Sequence, residues 1–264
     1  TTSLQAACEA ETLIVSVGVQ SLRGLMAELS PLALSGRTFV LCMKGLEADT
    51  ALRPSELAAA ALGASNAVAV WLGPGHVQEF YRGVPNCMVI DSADEAVKAR
   101  LVAAFSGDLI RFYYGTDLIG NEIGAATKNV VGIAAGMLDA MGLCTLKGAL
   151  MSRGTREIAR LIEAMGGNGL SAYGLCHLGD YEATVFSPYS HNRQYGESFV
   201  RGEPYGALAE GCHTVRALRL LEARTGVELP ICRTVYEILY QARDPREALG
   251  ALFSMRLSLI HISE

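Results

Sequence analysis

From Leu13 to Tyr114 short apolar runs alternate with amphipathic stretches. Leu13–Val17 is a short apolar, β-branched run, the pattern of a strand buried on both faces, and Thr38–Met43, Ala67–Leu72, Cys87–Asp91 and Leu109–Tyr114 read as further strands. Between them Gln20–Leu29, Pro54–Leu62, His76–Tyr81 and Ala93–Phe105 read as helices, with Pro54 at a first turn. Repeated strand–helix units imply a sheet that is at least partly parallel, with right-handed crossovers. After Gly115 the strand-like runs stop and helical periodicity takes over: Ile123–Leu143, Leu146–Met165, Glu210–Thr225, Thr234–Ala242 and a shorter piece near Ala248. Gly179–Tyr205, polar and glycine-bearing, reads as a loop. The expected organisation is an α/β domain over residues 1–117 and an all-α domain over 118–256.

One stretch of that helical half stands apart. Lys128 is the only charge between Ile123 and Leu138, and Gly124, Lys128, Gly132 and Gly136 fall four apart on one helical stripe. Each glycine costs a helix about 1 kcal/mol relative to alanine. The cost makes sense if something approaches the backbone closely and the lysine points at it. A tight helix–helix contact with a lysine snorkelling at its edge explains the spacing equally well.

Composition narrows the choices. Half of the 264 residues are hydrophobic and 19% are charged, enough to bury a large core. A net charge of −5 leaves no general basic footprint for nucleic acid. Every apolar stretch long enough to span a membrane is broken by glycine or charge. Seven cysteines are scattered singly with no Cys-x-x-Cys, which fits a reduced, cytoplasmic chain with thiols mostly in cores, and five histidines form no zinc spacing. Residues 257–264 match one reading frame of a transposase adapter used in sequencing libraries and are set apart as a non-native tail. With Thr1 as the first residue and no secretory leader, the chain reads as an internal stretch of a longer gene.

In doubly wound sheets ligands sit outside the carboxyl ends of the strands, which points to Lys44 after the second strand and to Gly73-Pro74-Gly75 after the third. Taken alone, the glycine–proline turn and the lysine have ordinary structural explanations. No Gly-x-Gly-x-x-Gly is present. If the fold binds a dinucleotide, that turn should lie upstream, and the chain alone should bind neither NADH nor NADPH appreciably.

Four blocks then converge: Cys42-Met43-Lys44-Gly45-Leu46-Glu47, Gly120-Asn121-Glu122-Ile123-Gly124 running through Lys128-Asn129-Val130, Leu178-Gly179-Asp180, and Ser190-His191-Asn192-Arg193-Gln194-Tyr195-Gly196 with Leu208-Ala209-Glu210-Gly211 downstream. In order and spacing they resemble the soluble NAD(P)-dependent glycerol-3-phosphate dehydrogenase family, from about Ala10 to Leu252. The resemblance implies a truncated Rossmann-type α/β domain followed by an all-α substrate domain. It implies NAD or NADP as cofactor, no metal, and dihydroxyacetone phosphate and glycerol 3-phosphate as substrate and product. A cytoplasmic location, a possible homodimer and a role in glycerophospholipid synthesis come with it. Lys128 would be the general acid/base at the substrate C2 oxygen. Lys44, Gly73, Gly75, Asn129, Asp180, Ser190, His191 and Asn192 would hold substrate. Lys44, Val77, His191, Leu208 and Glu210 would lie near the cofactor.

The chemistry asks for such groups. A cation at the C2 oxygen stabilises the developing alkoxide and donates its proton, and a phosphate needs donors and at least one cation. Two departures matter. The family usually has arginine at His191, and a serine followed by an apolar aromatic at Gly75 and His76. Histidine offers at most two donors and carries only a partial charge near neutral pH. Arg193 would substitute only if it faced the site, and His76 and His191 would both face the phosphate. Without the resemblance, Asp180 and Asn192 read as turn residues and Glu210 as an acidic helix start. Two rival functions remain open: a dehydrogenase of the same layout acting on another hydroxy acid or phosphate, and a non-catalytic protein whose glycine stripe is an association surface.

Overall fold

A computed structural model describes residues 1–254, so the tail at 257–264 lies outside the described residues. After a helical turn α1 (Leu4–Ala7) come β1 (Thr12–Val15), α2 (Val19–Leu29), β2 (Thr38–Leu41), α3 (Pro54–Leu62), β3 (Ala67–Leu72), α4 (Val77–Tyr81), β4 (Asn86–Ser92), α5 (Glu95–Phe105) and β5 (Ile110–Tyr114). The five strands stand in sequence order. β1, β2 and β3 run parallel to one another, β4 and β5 run parallel to each other, and β4 is antiparallel to β3. All four residues of β2 are buried, as its unbroken apolar run requires. Val19, Leu22 and Met26 of α2 and Leu57 of α3 cover one face of the sheet, whereas Val97 and Leu101 of α5 pack on Val40, Ile90 and Phe112 on the other.

α6 (Leu118–Ala140) then leaves the sheet and runs through the helical half, followed by α7 (Lys147–Ala164), α8 (His191–Arg201), α9 (Glu210–Thr225), α10 (Pro230–Tyr240) and α11 (Pro245–Ser254). Asp117 caps α6: one carboxylate oxygen accepts from the Gly120 N–H at 3.0 Å, and the other accepts from the Asn168 N–H at 2.8 Å and the Ser171 hydroxyl at 2.6 Å. Further along α6, buried Glu122 accepts from Arg53 at 2.7 Å and from the Ser55 N–H at 2.9 Å, tying the helix to the start of α3.

The segment 179–205, expected as a loop, holds a π-helical turn at Glu182–Phe186 and the whole of α8. The glycine stripe explains it. α8 lies along α6 so closely that a Cβ on Gly136 would sit on the Arg193 carbonyl group, and one on Gly196 would sit on the Ile133 carbonyl. A Cβ on Gly132 would come within 2.8 Å of Thr184, and one on Gly124 within 3.0 Å of His177. The partner of the stripe is therefore this chain's own segment 177–197. The stripe is covered internally and is not a free association surface. Of the seven free cysteines only Cys8, Cys176 and Cys232 are buried, fewer than the reading of mostly core thiols implies.

Candidate active site

The cavity lies where the carboxyl ends of β1 to β3 face the middle of α6 and the start of α8. It encloses about 360 Å³. β2 delivers Lys44 three residues beyond its end, and the Lys44 backbone is held by Asn129, whose amide Nδ2 donates to its carbonyl at 2.9 Å. The Lys44 Nζ donates to the Gly73 carbonyl and meets Asp180 Oδ2 at 2.9 Å. Lys128, projecting from α6, reaches the same Oδ2 at 2.9 Å and donates to Thr184 Oγ1 at 2.7 Å. An ammonium has three donors, so each lysine keeps one to offer the cavity. Asp180 is 1% exposed and Lys128 5%, so this is a buried carboxylate between two cations, one from each half of the chain. Burial pushes Lys128 down to about 8, the Lys44 charge adds to that, and Asp180 opposes it.

Behind Lys128, His177 packs under α6 with Nδ1 on the Gly124 carbonyl at 2.8 Å and Nε2 on the Tyr181 hydroxyl at 2.7 Å, and burial holds it down to about 4. It is a neutral core histidine.

The α8 end supplies polar groups. Ser190 is the N-cap; its Oγ accepts from the Arg193 N–H at 3.3 Å, leaving its proton for the cavity. Asn192 accepts from the Gly211 N–H at 2.9 Å through Oδ1, and its amide hydrogens have no partner among the described residues. His191 lines the cavity with Nδ1 on the Tyr205 hydroxyl at 2.7 Å. Arg193 points away into Asp139 and Glu197, at 2.7 and 2.9 Å, so it does not replace the missing arginine. His76 lines the cavity too, but its Nε2 is 2.8 Å from the Ala183 carbonyl and must donate to it. Both histidines thus face the cavity, and this nitrogen of His76 is committed to the Ala183 carbonyl.

Gly75 lines the cavity with φ of +137°, a conformation that side chains rarely adopt, and a Cβ there would fall 2.8 Å from the Phe80 ring. That accounts for glycine where the resemblance expects serine. Gly73, φ +128°, stands one layer back and acts through its carbonyl on Lys44. Val77 begins α4, is 63% exposed and is not part of the lining.

At the opposite end Val17, Gly18, Met43, Leu208 and Glu210 form an apolar slot with one acid. Glu210 Oε1 accepts from the Val19 N–H at 3.2 Å, whereas Oε2 is buried with no partner among the described residues. Burial raises the Glu210 carboxyl above its usual range. Sequence reasoning missed Thr184, Val17, Gly18, Met43 and Tyr189. Thr184 had a signal, lying four residues after Asp180 and so one helical turn on.

Known proteins resemble this chain along nearly its whole length. Residues 1–98 match the family profile described as NAD-dependent glycerol-3-phosphate dehydrogenase N-terminus, and residues 117–250 match its C-terminus. Glycerol-3-phosphate dehydrogenase [NAD(P)+] of Streptomyces coelicolor is 37% identical over 264 aligned positions, covering 96% of this chain and 78% of that protein. The Streptomyces avermitilis enzyme of the same name is 38% identical over 95% of this chain and 77% of its own length. The crystal structure of glycerol-3-phosphate dehydrogenase from Coxiella burnetii superposes with a TM-score of 0.90 at 26% identity, over 96% of this chain and 80% of that one. The chain belongs to the NAD-dependent glycerol-3-phosphate dehydrogenase family.

Proposed function

We propose that this protein is an NAD(P)-dependent glycerol-3-phosphate dehydrogenase, interconverting glycerol 3-phosphate and dihydroxyacetone phosphate. The observation that carries the reading is Lys128, buried in the cavity wall with two donors committed to Asp180 and Thr184 and a third left open. During reduction the Lys128 ammonium stabilises negative charge growing on the substrate C2 oxygen and gives it a proton; during oxidation the neutral amine takes that proton back. Asp180 and Thr184 fix where the Nζ sits. Lys44, held by Gly73 and Asn129, places a second cation beside it. Ser190 and Asn192 offer uncharged donors and His191 a titratable one, a set suited to a phosphate.

The apolar slot fits a nicotinamide ribonucleoside on this structure's own terms. Val17, Met43 and Leu208 supply walls for a flat ring, and the unpartnered Glu210 Oε2 is an acceptor in want of an amide or hydroxyl donor. A bound dihydronicotinamide supplies the hydride. We further propose residues 1–117 as the cofactor-side domain, residues 118–256 as the helical substrate domain, and a homodimeric, cytoplasmic enzyme feeding glycerophospholipid synthesis. These rest on family membership, on the break between β5 and α6, and on the finding that no described helix is long and apolar enough to cross a membrane.

The test is NADH and NADPH oxidation by the full-length protein, with dihydroxyacetone phosphate set against unphosphorylated 2-keto acids. Turnover of the phosphate ester alone is expected. Preference for a keto acid would transfer the protein to another substrate.

A further inference from the structure

His191 stands where the resemblance leads one to expect a permanent cation, and its surroundings decide what a histidine can do there. The Pro188 carbonyl can only accept. Gln194 donates to it through Nε2 at 2.5 Å, so the Gln194 amide is oriented with Oε1 on the other side. Oε1 lies 3.2 Å from the Tyr205 hydroxyl and must accept from it. Tyr205 has one hydroxyl proton and has now used it. Its oxygen, 2.7 Å from His191 Nδ1, is left to accept, so the hydrogen between them belongs to Nδ1. His191 Nε2 has no partner among the described residues, and the side chain lines the cavity.

We infer that Tyr205 and Gln194 are positioning residues that lock His191 as the Nδ1–H tautomer, so that Nε2 offers the substrate a lone pair when the ring is neutral and a proton only when it is cationic. This rests on the phosphate-ester substrate proposed above. An unconstrained imidazole could meet a phosphate oxygen in its neutral form simply by carrying its hydrogen on Nε2. The locked ring cannot, because a neutral Nε2 would set a lone pair against an anionic oxygen. The same chain accommodates the imidazolium without change, since Nδ1–H is present in both states. Phosphate affinity therefore follows His191 protonation more steeply than it would for a free histidine.

The charged groups around the ring are Lys44, Lys128, Asp180 and Glu210 on the cavity wall, and Arg193 and Glu197 along α8. Arg193 is bound to Asp139 and Glu197, and Asp180 to both lysines, so none of Arg193, Glu197, Asp180, Lys44 and Lys128 bridges to His191. Tyr205 also packs edge-on against Tyr195 at 5.8 Å between ring centres, a contact that phenylalanine preserves.

The experiment uses the full-length protein with ¹⁵N-labelled histidine. The His191 signals are assigned by their loss in His191→Gln. At a pH where the ring is neutral, the wild type is expected to show a protonated Nδ1. Tyr205→Phe, and separately Gln194→Leu, is expected to move the hydrogen to Nε2. In parallel, KM for dihydroxyacetone phosphate is measured from pH 6.5 to 8.5. The wild-type value should climb by up to about tenfold per pH unit, the limit for one linked proton, and the Tyr205→Phe value several-fold less, with kcat within about twofold. The substrate's own ionisation is common to both proteins and cancels in their ratio. A protonated Nε2 in the wild type, or a Tyr205→Phe protein with unchanged tautomer and unchanged pH profile, would overturn the inference. Because the tautomer is read without substrate, a failure of the dehydrogenase assignment would show separately, as absent turnover.

Discussion

Consider alanine at Gly136. In an exposed helix this substitution is favourable, because alanine exceeds glycine by about 1 kcal/mol in helix propensity. In α6 the new methyl would land on the backbone of α8: the Arg193 carbonyl carbon would lie 2.8 Å away, its oxygen nearer still, and the Glu197 nitrogen 3.0 Å away. Carbon atoms pack at about 3.5–4 Å. The two helices must therefore part by roughly an ångström, and the obstacle is backbone, which cannot rotate aside. Overpacking of this kind costs about 1–3 kcal/mol, occasionally more. We expect the upper end, so that after the propensity gain the protein is still destabilised by about 2 kcal/mol. Gly24→Ala is the matched control, since Gly24 is exposed in α2 with nothing within 4 Å of its prospective Cβ. It should gain up to about 1 kcal/mol. In a chain of this size each kcal/mol moves the melting temperature by roughly 2–4 °C, so the two variants should melt on opposite sides of the wild type, about 6–12 °C apart. Scanning calorimetry or urea titration reads the difference. KM should also rise for Gly136→Ala, because α8 begins with the residues that face the cavity. A Gly136→Ala protein as stable as Gly24→Ala would refute the close approach of α6 and α8.

Three further outcomes follow from the same structure. Because Lys128 titrates near 8, ketone reduction, which needs the ammonium, should decline above about pH 8. Alcohol oxidation, which needs the neutral amine, should rise through the same range and then level off; parallel profiles in the two directions would remove Lys128 from proton transfer. Asp180→Asn takes the shared counter-ion from both lysines. It should lower kcat by about 10²–10⁴-fold and move the Lys128 limb to lower pH, since Asp180 is what holds that ammonium up, and an unmoved limb would contradict the ion pair. Glu122→Gln takes the buried counter-ion from Arg53 but leaves Glu56 3.0 Å from its other guanidinium nitrogen. It should cost about 1–3 kcal/mol in denaturant unfolding while KM stays within about threefold of wild type; a large kinetic effect without loss of stability would contradict the structural role given to it.

β2 could be read directly because a strand buried on both faces cannot hide its apolar run, whereas Leu13–Val17, read the same way, is an edge strand with Ile14 half exposed, and β5 at the other edge exposes Tyr113 and Tyr114. Lys128 could be read because one charge in an apolar helix has few innocent explanations. α8 could not. His191–Arg201 offers apolar anchors only at Tyr195, Phe199 and Val200, and it is also held by the approach of its backbone at Gly196 to α6, a contact that leaves only a missing side chain in the sequence. Asp180 was ambiguous for another reason: its two lysines come from 136 and 52 positions away, and nothing local distinguishes it from a turn residue. The tautomer of His191 depends on Pro188, Gln194 and Tyr205, three residues with no motif among them. The resemblance located the position and the missing arginine; only the hydrogen-bond directions say what the histidine does there.

Asp180 has a consequence for how such a protein can change over time. One carboxylate oxygen neutralises a lysine from the sheet half and a lysine from the helical half. The helical half carries a balanced pair of its own in Lys128 and Asp180, but the sheet half does not, and Lys44 depends on an acid from the other half. A recombinant that inherited a new helical half lacking the acid would bring two cations together with nothing between them, and one that lost Lys44 would leave the acid to Lys128 alone and raise its proton affinity. The two halves therefore travel as one heritable unit, and exchanges between relatives should succeed at loops that keep Lys44, Lys128 and Asp180 from the same parent.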